Sequence, residues 1–228
     1  MTTPRSRPKR AVQAPVELRL DGELEELALD RDRLVAGVER ARVVGAPLAE
    51  TEARGASVVG SRLLDIDLSG ARLGGLRLVD VDVDRGNLAN LIAPELSLQR
   101  VAISGARLTG VQWTRGRITD VRFHDCRIDL ATFAGTTFER VVFDGCLLGQ
   151  AEFRETLLRS VRFDHCDLTE ADVTGARIDR CELRACTLDG LAGAERLRGA
   201  AMPWADVVGN AALLATALGI RVLGDDER

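Results

Sequence analysis

VRFHDCRI (121–128) returns with small changes as VVFDGCLL (141–148) and again as VRFDHCDL (161–168), each copy 20 residues after the last. The three copies gather both histidines, His124 and His165, beside Cys126, Cys146, Cys166 and several aspartates. They read either as a site built from Cys, His and Asp or as what a repeating backbone places at one level after another. Counting outward from Phe123 in steps of five decides between the two. Forward, the steps meet Ile128, Phe133, Phe138, Phe143, Leu148, Phe153, Leu158 and Phe163; backward, they meet Ile118, Trp113, Leu108 and Ile103. All six phenylalanines lie on this register. All five cysteines lie on a second register two positions earlier, which they share with alanine and valine. From Val38 to Leu188 there are thirty-one such units without an insertion. A helix of 3.6 residues per turn drifts against a period of five, and a plain strand needs a period of two. The period therefore belongs to a repeat architecture.

The motifs SGARL (69–73 and 104–108), TEADV (169–173) and TGARI (174–178) resemble the pentapeptide-repeat family, whose units follow A-(D/N)-L-x-x. The resemblance covers about two-thirds of the chain. It implies an all-β fold, a right-handed quadrilateral β-helix in which each unit is one side and four units make a square coil. The 20-residue recurrence of Val81, Val101, Val121, Val141 and Val161 supports four units per coil independently. With about 4.8 Å between strands, nearly eight coils make a rod roughly 37 Å long.

In such a rod the central residue and its small partner point inward and the other three of five point out. Cys126, Cys146, Cys166 and Cys186 then form a buried column, whereas His124 and His165 lie outside. A zinc ion needs its ligands around one point, so the two groups do not share one; the thiols act as small hydrophobes. Neither a cofactor nor a metal is implied. No P-loop, dinucleotide fingerprint or triad arrangement is present, so a non-enzyme is expected.

Residues 1–14, with Arg5, Arg7, Lys9 and Arg10, read as a flexible basic tail, and 15–35 as an N-terminal cap made of a strand or a degraded coil. The rod occupies 36–190. Residues 191–228 form a capping or dimerisation module, with a helix over 203–218 opened by Pro203 and closed by Gly219, then a short IRVL strand. The helix face Val207, Val208, Ala211, Leu214 and Leu218 either covers the last coil or joins two copies. Segment 82–98 is the least regular part: Ala93 replaces a large centre and Pro94 removes a backbone donor, which predicts a kink or bulge. No apolar run approaches the roughly 18 residues of a membrane helix. The basic N-terminus has no apolar segment behind it, so a cytoplasmic location is expected.

The C-terminal layout is similar to that of the mycobacterial fluoroquinolone-resistance members of the family. That resemblance implies a bacterial, non-catalytic homodimer, paired through its C-terminal module, that imitates duplex DNA and binds DNA gyrase or topoisomerase IV. The net charge is −4 and becomes −8 without the four tail bases, which argues against direct nucleic-acid binding. The candidate surface is Asp125, Asp129, Asp144, Asp164, Asp167 and Glu170 with His124 and His165. Only two of the four sides lean acidic and arginines interrupt them, so an interaction or scaffold protein with a different protein partner remains the alternative.

Overall fold

The computed structural model describes residues 11–20 and 22–222, and the four bases of the expected tail lie outside them. Each five-residue unit makes one flat side because two of its residues are buried and its last residue turns a corner. Every fifth residue from Arg40 to Gly190 has a positive φ, between 49° and 73°. Glycine takes this left-handed conformation freely, and other residues at a cost of roughly 1–2 kcal/mol. Many of the corners are nevertheless Arg, Asp or Glu. Burial of the two inward residues on every side outweighs the local cost.

The strands are β1 (Glu25–Glu26), β2 (Val38–Glu39), β3 (Ala41–Val44), β4 (Glu52–Arg54), β5 (Ser57–Leu64), β6 (Arg72–Gly74), β7 (Arg77–Asp84), β8 (Ser97–Ser104), β9 (Arg117–His124), β10 (Thr137–Asp144), β11 (Leu157–Asp164) and β12 (Arg177–Arg184). Every pairing is parallel, and from β5 onward the register is 20 residues, so that Val121, Val141 and Val161 stack, as do Phe123, Phe143 and Phe163. Each eight-residue strand bends around one corner and supplies two adjoining sides. The other two sides are joined by isolated parallel bridges such as Arg107↔Arg127 and Gln112↔Thr132. Four sides and nearly eight coils make a quadrilateral β-helix.

The core is one column of apolar side chains. Phe123, Phe143 and Phe163 stack face to face at 4.7 and 5.0 Å with rings within 5° of parallel. Trp113 is buried one coil from Ala93, against Phe123 and Phe133, at ring separations of 6.4 and 6.1 Å. The small residue leaves room for the large ring. In the leucine-rich first half the packing is looser and leaves an apolar cavity of about 20 Å³, too small for any substrate.

Segment 82–98 shows neither the kink nor the bulge that the sequence suggests. Leu98 pairs with Leu78 in register and Ile92 bridges both Arg72 and Gln112. Pro94 is tolerated because the Leu73 carbonyl of the preceding coil already accepts the Leu76 N–H, at 3.3 Å. The missing donor costs the coil nothing.

The N-terminal end also departs from expectation. Helix α1 (Arg31–Ala36) starts at Asp30, whose carboxylate accepts the Arg33 N–H at 2.9 Å, and it buries Leu34 beside Leu29 on the first coil. With β1 on β3, residues 22–36 close this end. Residues 11–20 do not belong to the cap. They run extended along the side of the rod, with Ala11 and Val12 beside Arg162 and Arg180, and Glu17 and Arg19 beside Asp80 and Arg100. Pro15 is buried in this strap, and the Val16 N–H donates to Asp120 Oδ1 at 3.1 Å. Having no five-residue register, the strap cannot form a coil and lies across several instead.

At the other end, a 3-10 turn (Ala194–Leu197) leads to α2 (Trp204–Gly209) and α3 (Ala211–Ala217). The single helix expected over 203–218 is thus two. Gly209 and Asn210 break it, Asn210 having φ −105° and ψ 19°. Its side-chain amide donates to the Asp206 carbonyl at 2.9 Å. Residues 220–222 form no strand. The exposed edge of β12 is sealed by main chain, because Ala201 bridges Glu182, and by Asp206, whose carboxylate accepts the Ala185 N–H at 2.8 Å.

Candidate interaction surface

His124, Asp144 and Asp164 are the last residues of β9, β10 and β11 and stand in register. Strand alternation sends Phe123, Phe143 and Phe163 inward, so the next residue of each strand points out. Asp125 and His165 follow at the corner, with φ of 49° and 52°. His124 Nδ1 lies 3.3 Å from Asp144 Oδ2, and its Nε2 lies 3.3 Å from Asp125 Oδ2. His165 Nδ1 is 3.1 Å from Asp164 Oδ1, whose other oxygen faces Arg162 Nε at 3.7 Å. These five residues come together on the outer wall.

Asp129, Asp167 and Glu170 stand on the next side and keep partners of their own. Asp129 is 3.9 Å from Arg127 Nε. Asp167 accepts the Thr169 N–H at 2.9 Å and the Thr169 hydroxyl at 2.6 Å, which fixes its turn. Glu170 accepts the Gln150 side-chain amide at 2.6 Å. The eight expected residues therefore form a cluster of five and three separate carboxylates on two adjoining walls.

The sulfurs are on the inner side of the same wall. Cys126, Cys146 and Cys166 are buried and Cys186 is half-buried, and their thiols donate to main-chain carbonyls, as Cys126 does to Ile103 at 3.3 Å. The hydrogen bond to the preceding sulfur, with burial added, pushes Cys146 and Cys166 up to about 12. Burial, helped by the charges of Cys186 and Glu182, does the same to Cys181, also to about 12. These are neutral thiols near pH 7, separated by the β-wall from both imidazoles.

The sequence reading missed how the outward charges are spent. Seven arginines each pair with the acid twenty residues away, on a neighbouring coil: Arg62–Asp82 at 3.0 Å, Arg72–Glu52 at 3.8 Å, Arg85–Asp65 at 3.1 Å, Arg100–Asp80 at 2.5 Å, Arg115–Glu95 at 3.6 Å, Arg140–Asp120 at 2.6 Å and Arg159–Asp179 at 3.7 Å. The signal was opposite charge at a spacing of 20. Most of these pairs are exposed and stabilise little. Arg140 and Asp120 differ, because the pair, bidentate like Arg100–Asp80, is the more buried of the two and Asp120 also accepts the strap's Val16 N–H. Burial works to raise the Asp120 carboxyl, but hydrogen bonds from Arg140 and Val16 and the charges of Arg140 and Arg100 outweigh it and hold the group below its usual range.

The expected C-terminal face is split by the helix break. Leu214 lies over the turn Ala194–Leu197 and, like Val207, is half-buried, whereas Val208, Ala211 and Leu218 are exposed. Trp204, absent from the expected set, is 79 % exposed, as is Leu218. Among the described residues no helix is long and apolar enough to cross a membrane.

Flat sides of five residues, left-handed corners and a 20-residue register define a pentapeptide-repeat β-helix. Residues 116–192 match the family model described as "Pentapeptide repeat region", and the same geometry continues unbroken back to residue 38. No curated protein sequence matches it. Among solved structures it is similar to HetL, a pentapeptide repeat protein involved in heterocyst differentiation regulation from the cyanobacterium Nostoc sp. Strain PCC 7120. That match has 18% identity over 74% of this chain and 90% of HetL, with a TM-score of 0.40. It is also similar to full-length QnrB1, a plasmid-mediated fluoroquinolone resistance protein, at 15% identity over 79% of this chain and 100% of QnrB1, with a TM-score of 0.35. A third similar structure is Rfr23 from the cyanobacterium Cyanothece 51142, at 11% identity over 67% of this chain and 88% of that one, with a TM-score of 0.20.

Proposed function

We propose that the protein is a non-catalytic, macromolecule-binding rod whose leading partner is DNA gyrase or a related type II topoisomerase, engaged where that enzyme holds DNA. The observation that supports this reading is the pair of adjoining walls carrying Asp125, Asp129, Asp144, Asp164, Asp167 and Glu170. Six carboxylates are displayed there on a rigid β-surface over successive coils. A groove built to neutralise phosphates attracts negative charge that is already in place. The test is a supercoiling assay with purified gyrase, with and without a quinolone. The protein is expected to alter supercoiling or cleavage, and a variant with the six acids replaced by Asn and Gln is expected to lose the effect. No effect of the unaltered protein at tens of micromolar removes topoisomerase as the partner.

One observation favours a second reading, a scaffold for a partner of mixed polarity: the seven inter-coil arginine–acid pairs neutralise much of the remaining wall. In either case the C-terminal module serves as a homodimer contact, because Trp204, Val208 and Leu218 present apolar surface beyond the last coil. Sedimentation is expected to give twice the chain mass, and Leu218→Asp combined with Trp204→Ala is expected to give one.

A further inference from the structure

Along the outer columns of the rod, seven acids are paired with the arginine twenty residues away, on a neighbouring coil. Among the described residues from 38 to 190, acid stands directly above acid in the same column at two places, Asp144 with Asp164 and Glu152 with Asp172. Like charges facing one another across a parallel pair are destabilising. The second place is answered locally: Asp172 faces Arg154 at 3.6 Å and also accepts the Thr174 N–H at 2.7 Å. The first also has arginine nearby, Arg162 at 3.7 Å from Asp164 and Arg184 in register one coil on, and it is flanked in addition by both imidazoles of the protein, His124 at Asp144 and His165 at Asp164. One ligand atom from each of Asp144, Asp164 and His165 lies within 4.8 Å of the others.

We propose that Asp144, Asp164 and His165 form a binding site for a divalent transition-metal ion, with His124 beside it. One imidazole nitrogen and two carboxylate oxygens suit the borderline ions Zn²⁺, Co²⁺ and Ni²⁺ better than Mg²⁺, which keeps to oxygen ligands. The carboxylates come from adjacent strands of one ladder, so their spacing is set by the backbone. Closing onto an ion needs only side-chain rotation. Arg162 Nε stands 3.7 Å from Asp164 Oδ2, beyond hydrogen-bond reach, and Oδ1 is directed toward His165. Three protein ligands leave further positions for water or for a group of a bound partner.

The test is equilibrium dialysis of the full chain, without an affinity tag, against Co²⁺, read by metal content and by the visible spectrum of the bound ion. One Co²⁺ per chain is expected. His165→Ala and Asp144→Asn are each expected to weaken binding at least tenfold, and Glu152→Gln at the other acid stack is expected to leave it unchanged. All three positions lie on the outer wall, and an unchanged thermal midpoint without metal verifies that the variants fold. The proposal is overturned if no Co²⁺ is retained at about 1 mM, or if His165→Ala and Asp144→Asn bind as the unaltered chain does. Equal weakening by Glu152→Gln also overturns it, because binding would then follow overall charge.

Discussion

At Gly116 the absence of one methyl group decides whether two coils fit. This residue occupies an inward small-partner position, and a Cβ there would lie 2.5 Å from Leu96 Cδ2 and 3.0 Å from the Leu96 carbonyl oxygen. Leu96 is itself buried, so it has little space into which to move. Gly116→Ala is expected to destabilise the protein by about 1–3 kcal/mol, the usual cost of overpacking, as a lowered urea midpoint at unchanged slope. The inward positions were readable in the sequence because burial selects residue type: phenylalanine and leucine at the centres, alanine, valine and cysteine at the partners. The corners were not. Glycine marks eleven of them, but the left-handed φ of Arg140, Leu130 and Ser160 is imposed by the coils around them and is no preference of those residues.

Among the elements, the strap of residues 11–20 and the corner column beneath it carry the clearest electrostatic consequence. Asp120 is buried, paired with Arg140 and hydrogen-bonded by the Val16 amide. Its folded-state pKa lies below the ordinary carboxylate value of about 3.9. The stabilisation is therefore complete above about pH 4 and is lost as pH falls from there through the depressed value. Asp120→Asn is expected to lower stability near neutrality and to flatten its decline below pH 4, measured by urea unfolding across that range. The sequence concealed the strap because nothing local marks an extended segment that binds 104 residues away. It also suggested one C-terminal helix, because Val207, Val208, Ala211, Leu214 and Leu218 keep a helical spacing across the break at Asn210. The kink assigned to Pro94 failed for the opposite reason: the rule about proline is sound, but the carbonyl that a donor here would meet is already taken by Leu76. As for the candidate surface, the in-register column of His124, Asp144 and Asp164 was readable from the period, whereas the private partners of Asp129, Asp167 and Glu170 depend on side-chain geometry that spacing does not encode.

For the molecule as a whole, nearest-neighbour contact is the rule of a repeat rod: each coil touches the one before and the one after, and its stability is close to a sum of such contacts. A rod built only this way frays from its ends, one coil at a time. The strap alters that arithmetic, because a single extended segment touches the coils of Asp80, Asp120 and Arg180 at once. Loosening any of them loosens the strap from all. Removal of residues 1–20 is therefore expected to do more than lower the urea midpoint. It should broaden the transition and reduce its slope, as coils near the C-terminal end open before the rest. A parallel shift with the slope retained would mean that the rod is cooperative without it. The consequence is mechanical: a stack of separate plates, tied along one edge by its own leading end, is made to yield as one body.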